Sequence, residues 1–280
     1  MSKITVSVDS PADFNQELLN RYNIEKAYTG IVIGDDFFLD KDLTPNDIYK
    51  AVEVDNKTPK TNAPTEEQYR EIFEKYTKDG GQHIHVSISS AVSASHENAK
   101  RVAKDFKNVR VVDSKSLCMG LSFIAMKAQD LANQGKSLEE ILAELENIIA
   151  KTNISFIIKD LKFLHKGGRA SGLQLLGANL LKIRPSLIMN EEGKLVPGKK
   201  FKGEFAKAVK EYTAFKVEQF ANADKTIAMI AFSDIDKAIV EDVTKEVKAA
   251  GFQEVHQIQA GPTITIHCGR NTIGVLFLEK

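Results

Sequence analysis

The sequence predicts an α/β protein built of two lobes, the first around a doubly wound, mostly parallel sheet and the second a smaller α/β unit with a mixed sheet. Three observations carry that expectation. Short β-branched runs alternate with longer amphipathic ones, the order that covers both faces of a parallel sheet with helices. The 280 residues correspond to about 1.9 domains of ordinary size. The chain is 42% hydrophobic, enough for a core of good size at this length. The lobes are expected over about 4–152 and 153–279 of a single domain spanning 4–279.

The elements follow in order. Ile4 to Val8 alternates apolar and polar residues and ends at Asp9-Ser10-Pro11, a strand running into a helix start. Tyr28 to Ile33 and Phe37 to Leu39, separated by Gly34-Asp35-Asp36, read as a hairpin. Thr44-Pro45 opens a short helix with proline at its first position. Thr65 to Gln68 is the pattern of a capping box for a helix to about Lys78. Strand His83–Ser89, helix Ser95–Phe106 and strand Val109–Val112 come next. Two helices follow, over about Leu117–Asn133 and Leu138–Lys151, the second opened by Ser137 with Glu140 three residues on. The second half restarts with strand Ile154–Ile158. The loop Lys166-Gly167-Gly168-Arg169 then leads into a strongly apolar helix around Leu173–Leu181. Pro185–Met189 and Lys194–Lys200 form a second hairpin about Glu191-Glu192-Gly193. Helix Glu204–Phe220, strand Thr226–Phe232, helix Ile235–Ala249 and closing strands complete the chain. One of those closing strands is expected to end at His267.

Composition excludes several function classes. Lysine plus arginine balances aspartate plus glutamate, 38 against 38, so no basic excess marks a general nucleic-acid or membrane-surface binder. Cys118 and Cys268, the two cysteines, cannot build a disulfide framework. The first nine residues are too polar for a signal peptide. No apolar run approaches the roughly 20 residues of a transmembrane segment, and a cytoplasmic location is the expectation. There is no G-x-x-x-x-G-K-[ST] loop, no G-x-G-x-x-G, no G-x-S-x-G and no H-E-x-x-H. His83 and His85 share one strand face without cysteine or acid nearby, and read as ordinary strand histidines. No metal and no cofactor are expected.

Small hydroxyl residues gather where strands give way to helices: Asp9-Ser10, Thr61 to Thr65, Ser89 to Ser95 and Asp113 to Ser116. In an open α/β sheet such loops collect beyond the carboxyl ends of the strands, where ligands bind. Free backbone N–H groups and the positive helix end suit a small anion there. Any one of these loops taken alone reads first as an N-cap, and the case for a carboxylate or phosphate site rests on several together. His267, beside an anion, would gain a raised pKa and a hydrogen bond to give. Cys268 reads as a buried small apolar residue.

In order and spacing these motifs resemble the DegV family of bacterial fatty-acid-binding proteins, from about Ile4 to Leu278. Asp9-Ser10-Pro11-Ala12-Asp13 is similar to D-S-x-A-D, and Thr61 to Thr65 to T-S-Q-P-[ST]. Ser89 to Ser95 is similar to S-S-x-L-S-G-T, Leu164 to Arg169 to L-x-K-G-G-R, and Gly261 to His267 to G-P-x-x-x-x-H. The chain departs at Ala63, where the family has glutamine, and at Ser93-Ala94-Ser95, where it has S-G-T. It departs again at Cys268-Gly269-Arg270-Asn271, where x-G-P-G is usual.

The resemblance implies a non-catalytic carrier that holds one long-chain fatty acid, such as palmitate, between the two lobes. It implies that Thr61, Ser93 and Ala94 hold the carboxylate, with His267 close by. Some family members are the carrier subunit of a two-component fatty-acid kinase, so an ATP-dependent kinase is the implied partner. Arg169, after two glycines, is a candidate for the pocket mouth. Lys199, Lys200 and Lys202 form a basic cluster that would either dock such a kinase or protect a solvated hairpin edge. The competing expectation is a substrate-binding subunit like that of dihydroxyacetone kinase, with His267 bonding to a small carbonyl compound. The apolar helix around Leu173 favours the lipid, because a triose needs no greasy tunnel.

Overall fold

A computed structural model describes residues 3–159, 161–169, 173 and 183–280. The first half runs β1 (Ile4–Asp9), α1 (Gln16–Tyr22), β2 (Glu25–Ala27), β3 (Gly30–Ile33), β4 (Asp36–Leu39), α2 (Pro45–Tyr49) and β5 (Lys60–Asn62). It continues through α3 (Glu66–Thr77), β6 (Gln82–Ser87), α4 (Ser95–Ala103), β7 (Val109–Asp113), α5 (Cys118–Asn133) and α6 (Leu138–Lys151). Strands β2-β1-β6-β7 form a fully parallel sheet in that order. The two-residue period of β1 and β6 decides what each face meets. Val6, Val8, Ile84 and Val86 join one apolar cluster with Leu121, Phe123 and Ile124 of α5. The alternate residues face α3, where Tyr69 and Phe73 lie edge-on or tilted to His85 and His83.

That second face is polar, and every link in it is paired. Ser7 Oγ lies 2.7 Å from His83 Nε2 and 2.8 Å from His85 Nδ1. Asp9 Oδ1 sits 3.1 Å from His85 Nε2 and accepts from the Tyr69 hydroxyl at 2.7 Å. Its other oxygen accepts the Ile88 amide at 2.9 Å. The expectation that the two histidines lack an acid is therefore corrected: the acid comes from the neighbouring strand, across 76 positions of sequence. Most buried polar groups are satisfied in this way, and Asp9 thereby holds the start of the loop that carries Ser93.

The second half runs β8 (Thr152–Ile158), α7 (Lys162–Lys166), β9 (Ile183–Met189), β10 (Leu195–Lys202), α8 (Phe205–Gln219), β11 (Ala223–Ser233), α9 (Lys237–Ala249), β12 (Glu254–Gln259), α10 (Pro262–Cys268) and β13 (Thr272–Glu279). Its sheet has the order β10-β9-β8-β13-β11-β12. Only β11 and β12 pair in parallel, so the sheet is mixed. This sheet is the wider one, with six strands against four. Strands β4-β3-β5 form a third, antiparallel sheet. Its Ile31 and Ile33 share an apolar cluster with Phe163 of α7 and Ile266 of α10.

Local expectations hold where the signal is local. Thr44 and Ser137 close reciprocal capping boxes with Asp47 and Glu140. At Thr65 only half the box forms: Thr65 caps the Gln68 amide, while the Gln68 side chain turns away to bond both backbone groups of Tyr28. The segment ending at His267 is not a strand. Gly261 is the N-cap and Pro262 opens α10, which overrides the β-branched alternation Thr263-Ile264-Thr265-Ile266. Helix α4 also stops at Ala103, three residues short of the expected Phe106. Of the apolar helix expected around Leu173–Leu181, only Leu173 lies within the described residues. It is buried against Ile158, Leu164, Leu187 and Leu195.

Candidate functional site

A cavity of about 400 Å³ opens between the parallel sheet, the small antiparallel sheet and the mixed sheet. Ligand pockets of this size are ordinary. Much of its wall is apolar, with Ile88, Val92 and Leu117 from the first half of the chain and Ile154, Phe156 and Leu195 from the second. Thr61, Ser93, Ala94, Arg169 and His267 all line this same cavity. Among the described lining residues, Arg169 is the single charged one.

Each polar group arrives by a different route. Thr61 stands on β5, paired with Ile31 of β3 rather than in a loop before a helix. Its Oγ1 lies 3.2 Å from His267 Nε2, joining positions 206 apart. Ser93 accepts the Ser95 amide at 3.2 Å and lies 2.8 Å from the Ser95 hydroxyl. Ala94 is the N-cap of α4, so the positive end of that helix faces the cavity. Asn98, one turn further on, lines the cavity too and donates to Pro64 O at 3.3 Å. It ties the Ser93 helix to the Thr61 segment. The sequence reading missed Asn98, although its place in the first turn after Ser93-Ala94-Ser95 was a usable signal.

His267 is held unlike an exposed histidine. Burial pushes its imidazole down to about 3, and the neighbouring Arg169 guanidinium pushes the same way. The expected raised value therefore does not arise without an anion: desolvation disfavours the charged ring and no carboxylate offsets it. Its Nδ1 is buried without a hydrogen-bond partner among the described residues. Gly167 lies against it, so close that a Cβ there would stand 2.2 Å from that nitrogen. Arg169 turns back to donate from Nη1 to Gly167 O at 2.8 Å. Gly167 and Arg169 thus both stand beside the His267 ring.

Cys118 and Cys268 are both free and buried, and both line the cavity. Burial pushes the Cys268 thiol up to about 12, which keeps it protonated and unreactive. Behind the wall, Asp13 accepts from the Cys118 thiol at 3.1 Å and from the Gly261 amide at 3.0 Å. Burial raises this carboxyl to about 7, against the pull of Lys26. Lys199, Lys200 and Lys202 lie elsewhere, exposed on β10, the edge strand of the mixed sheet. Lys199 stands over the Phe215 ring at 4.2 Å. No group of three potential metal ligands occurs among the described residues. None of the described helices is long and apolar enough to cross a membrane.

Those shifts set a pH dependence with a definite sign. His83, pushed by burial to about 3, and His267 each take up a proton in the unfolded chain near pH 6.5 but not in the fold until about 3. Each therefore loses stability as pH falls through that window. Asp13 works in the opposite sense, being protonated in the fold below about 7. Over about pH 6 to pH 4 these three groups together bind two protons in the unfolded chain that the fold lacks and one in the fold that the unfolded chain lacks. Together these three lower stability by about 1.4 kcal/mol for each unit that pH falls there. Urea titrations should show a slope about 1.4 kcal/mol per pH unit shallower in His267→Ala than in the wild type. An equal slope in both would contradict the assignment.

The profile of the DegV family matches residues 3–280. The chain belongs to the DegV family. A DegV domain-containing protein of Clostridium acetobutylicum is 26% identical over 290 residues and covers each chain completely. A DegV family protein of Thermus thermophilus, described for its fatty-acid binding, is 26% identical with a TM-score of 0.90, covering 99% of this chain and 100% of that one. The fatty acid kinase B3 protein of Streptococcus pneumoniae, solved loaded with linoleic acid, shares the fold at 20% identity and a TM-score of 0.84, over 100% of both chains. The α/β architecture, with its parallel and mixed sheets, is thus that of DegV proteins.

Proposed function

We propose that this DegV protein binds one long-chain fatty acid, such as palmitate, and carries it without transforming it. The acyl chain lies along Ile88, Val92, Leu117, Ile154, Phe156 and Leu195. The carboxylate meets Thr61, Ser93, the Ala94 helix end and His267, with Arg169 as its counter-charge. The observation that carries this reading is one apolar cavity whose wall holds a cluster of hydroxyls, one imidazole and one guanidinium, with no carboxylate among its described residues. Such a wall repels nothing anionic and rewards length. A chain of about 14 buried methylenes contributes on the order of 11 kcal/mol before costs, at ~0.8 kcal/mol each, while association entropy removes much of it. The tail sets affinity and the polar end sets direction. A small carbonyl compound would leave that apolar wall uncovered, which argues against the dihydroxyacetone-kinase-like reading. The fatty-acid binding described for the Thermus thermophilus relative supports the lipid.

Native mass spectrometry of the protein purified from bacterial cells tests this directly. A retained acid of long-chain mass is the expected result, and a protein that stays empty even after incubation with palmitate would overturn the reading. Ser93→Ala and Thr61→Val should each weaken binding of a labelled fatty acid by about 5- to 30-fold, or ~1–2 kcal/mol for a lost hydroxyl bond to a carboxylate. Thermal unfolding should stay close to the wild type. Wild-type affinity in both variants would remove the carboxylate from this end of the cavity.

The kinase B3 relative also supports a partner that phosphorylates the bound acid. Phosphoryl transfer needs a phosphate cradle and a metal to neutralise charge, and the sequence offers neither pattern. The isolated chain should accordingly make no acyl-phosphate from ATP. Exchanging Lys199, Lys200 and Lys202 for glutamine should lower acyl-phosphate formation with the kinase and leave fatty-acid affinity unchanged. Unaltered formation would mean that these lysines serve only the exposed edge of β10.

A further inference from the structure

Arg270 stands where this chain departs from the family pattern, and the mixed-sheet unit carries it directly after α10. Its Nε donates to both oxygens of Glu53, at 3.0 and 3.2 Å. Its Nη1 is paired with Asp234, at the end of β11. The guanidinium carbon lies 3.8 Å from the centre of the Tyr49 ring. Tyr49 in turn meets Ser233, a cavity-lining residue, through its hydroxyl at 2.6 Å. One side chain thus ties the segment after α2 to both α10 and the mixed sheet.

That joint is the one the site straddles. Ile48, Tyr49 and Val52 pack in the same apolar cluster as Ile31, the β3 residue paired with Thr61, and as Ile266, the neighbour of His267. Any parting of the 45–62 segment from α10 therefore separates Thr61 from His267. We propose that Arg270 is a positioning residue that clamps these two parts together and so sets how fast the bound anion is released. This rests on the fatty-acid reading for its ligand, though the clamp itself does not. Planar stacking with two separate carboxylates suits arginine and not lysine, whose single ammonium cannot serve all three at once. The three charged groups are about one-third to one-half exposed, so salt should loosen the clamp.

The test compares wild type, Arg270→Gln, Arg270→Lys and Glu53→Gln in two measurements. Hydrogen–deuterium exchange of the ligand-free protein should be about tenfold faster over 45–62 and 262–271 in Arg270→Gln. Raising sodium chloride from 20 mM to 500 mM should speed the wild type toward the variant and leave the variant itself unchanged. Stopped-flow release of a fluorescent fatty acid should follow the same order, with Arg270→Lys intermediate. Adding Glu53→Gln to Arg270→Gln should slow nothing and speed nothing further. Exchange in Arg270→Gln equal to the wild type, or as salt-sensitive, would overturn the clamp whatever the ligand. A wild type that binds no fatty acid would sink the functional reading alone, with the exchange measurement still deciding the clamp.

Discussion

Gly167→Ala is expected to weaken fatty-acid binding by about 100-fold while the protein stays folded. The backbone there has ordinary geometry, so the added methyl group brings no conformational strain. What it brings is a collision: its Cβ would lie 2.2 Å from His267 Nδ1 and 2.9 Å from Cε1. An overlap that deep cannot be absorbed in place, and overpacking of a closed site costs ~1–3 kcal/mol. The ring would have to swing off Thr61, its partner at 3.2 Å, and the carboxylate end of the cavity would lose its shape. Because the collision is chiefly with one ring, it has a specific rescue. In a His267→Ala background the same Gly167→Ala exchange should cost far less, since only the Phe163 carbonyl oxygen, at 3.1 Å, then stands close to the added methyl group. Isothermal titration of the four proteins of that cycle with palmitate reads the coupling. Equal costs of Gly167→Ala with and without His267 would show that the glycine acts through something other than the ring.

Shortening the ligand from sixteen to twelve carbons is expected to lower affinity by about 200-fold. Four methylenes at ~0.8 kcal/mol each amount to about 3.2 kcal/mol. The polar contacts of the two acids are identical, so the whole difference falls on the apolar wall of Ile154, Phe156 and Leu195. The same reasoning makes the heat-capacity change of binding more negative for the longer acid. Equal affinity for the two acids would mean that the tail lies outside the cavity, and the reading of its apolar wall would fail with it.

Much of the fold was legible because its signals act within a few residues. Thr44-Pro45 and Ser137 to Glu140 announce helix starts three positions before the groups they cap. The alternation in Ile4 to Val8 needs only neighbouring positions to declare a strand. Where a competing partner lay far off, local signals misled. Gln68 had the right spacing for a capping box but found Tyr28, 40 positions away, instead. Thr263 to Ile266 alternates like a strand, yet Gly261 is held by Asp13 across 248 positions at the start of a helix. The acid beside His85 was invisible for the same reason, since strand pairing and not sequence spacing brings Asp9 to it.

The candidate site divides along the same line. Thr61, Ser93 and His267 could be singled out as residue types in suggestive segments, and the family resemblance ranked them. Their meeting could not be read from spacing. Helix propensity, capping and two-residue alternation are short-range effects, so the chain alone determined where most helices and strands begin and that the protein is α/β. The meeting of β5 with α10 depends on loop closures over some two hundred residues, driven by burial of Ile31, Ile48, Phe163 and Ile266 in one cluster. Burial is a property of the assembled fold, and it also decided that His267 is neutral and that Gly167 has no room for a side chain.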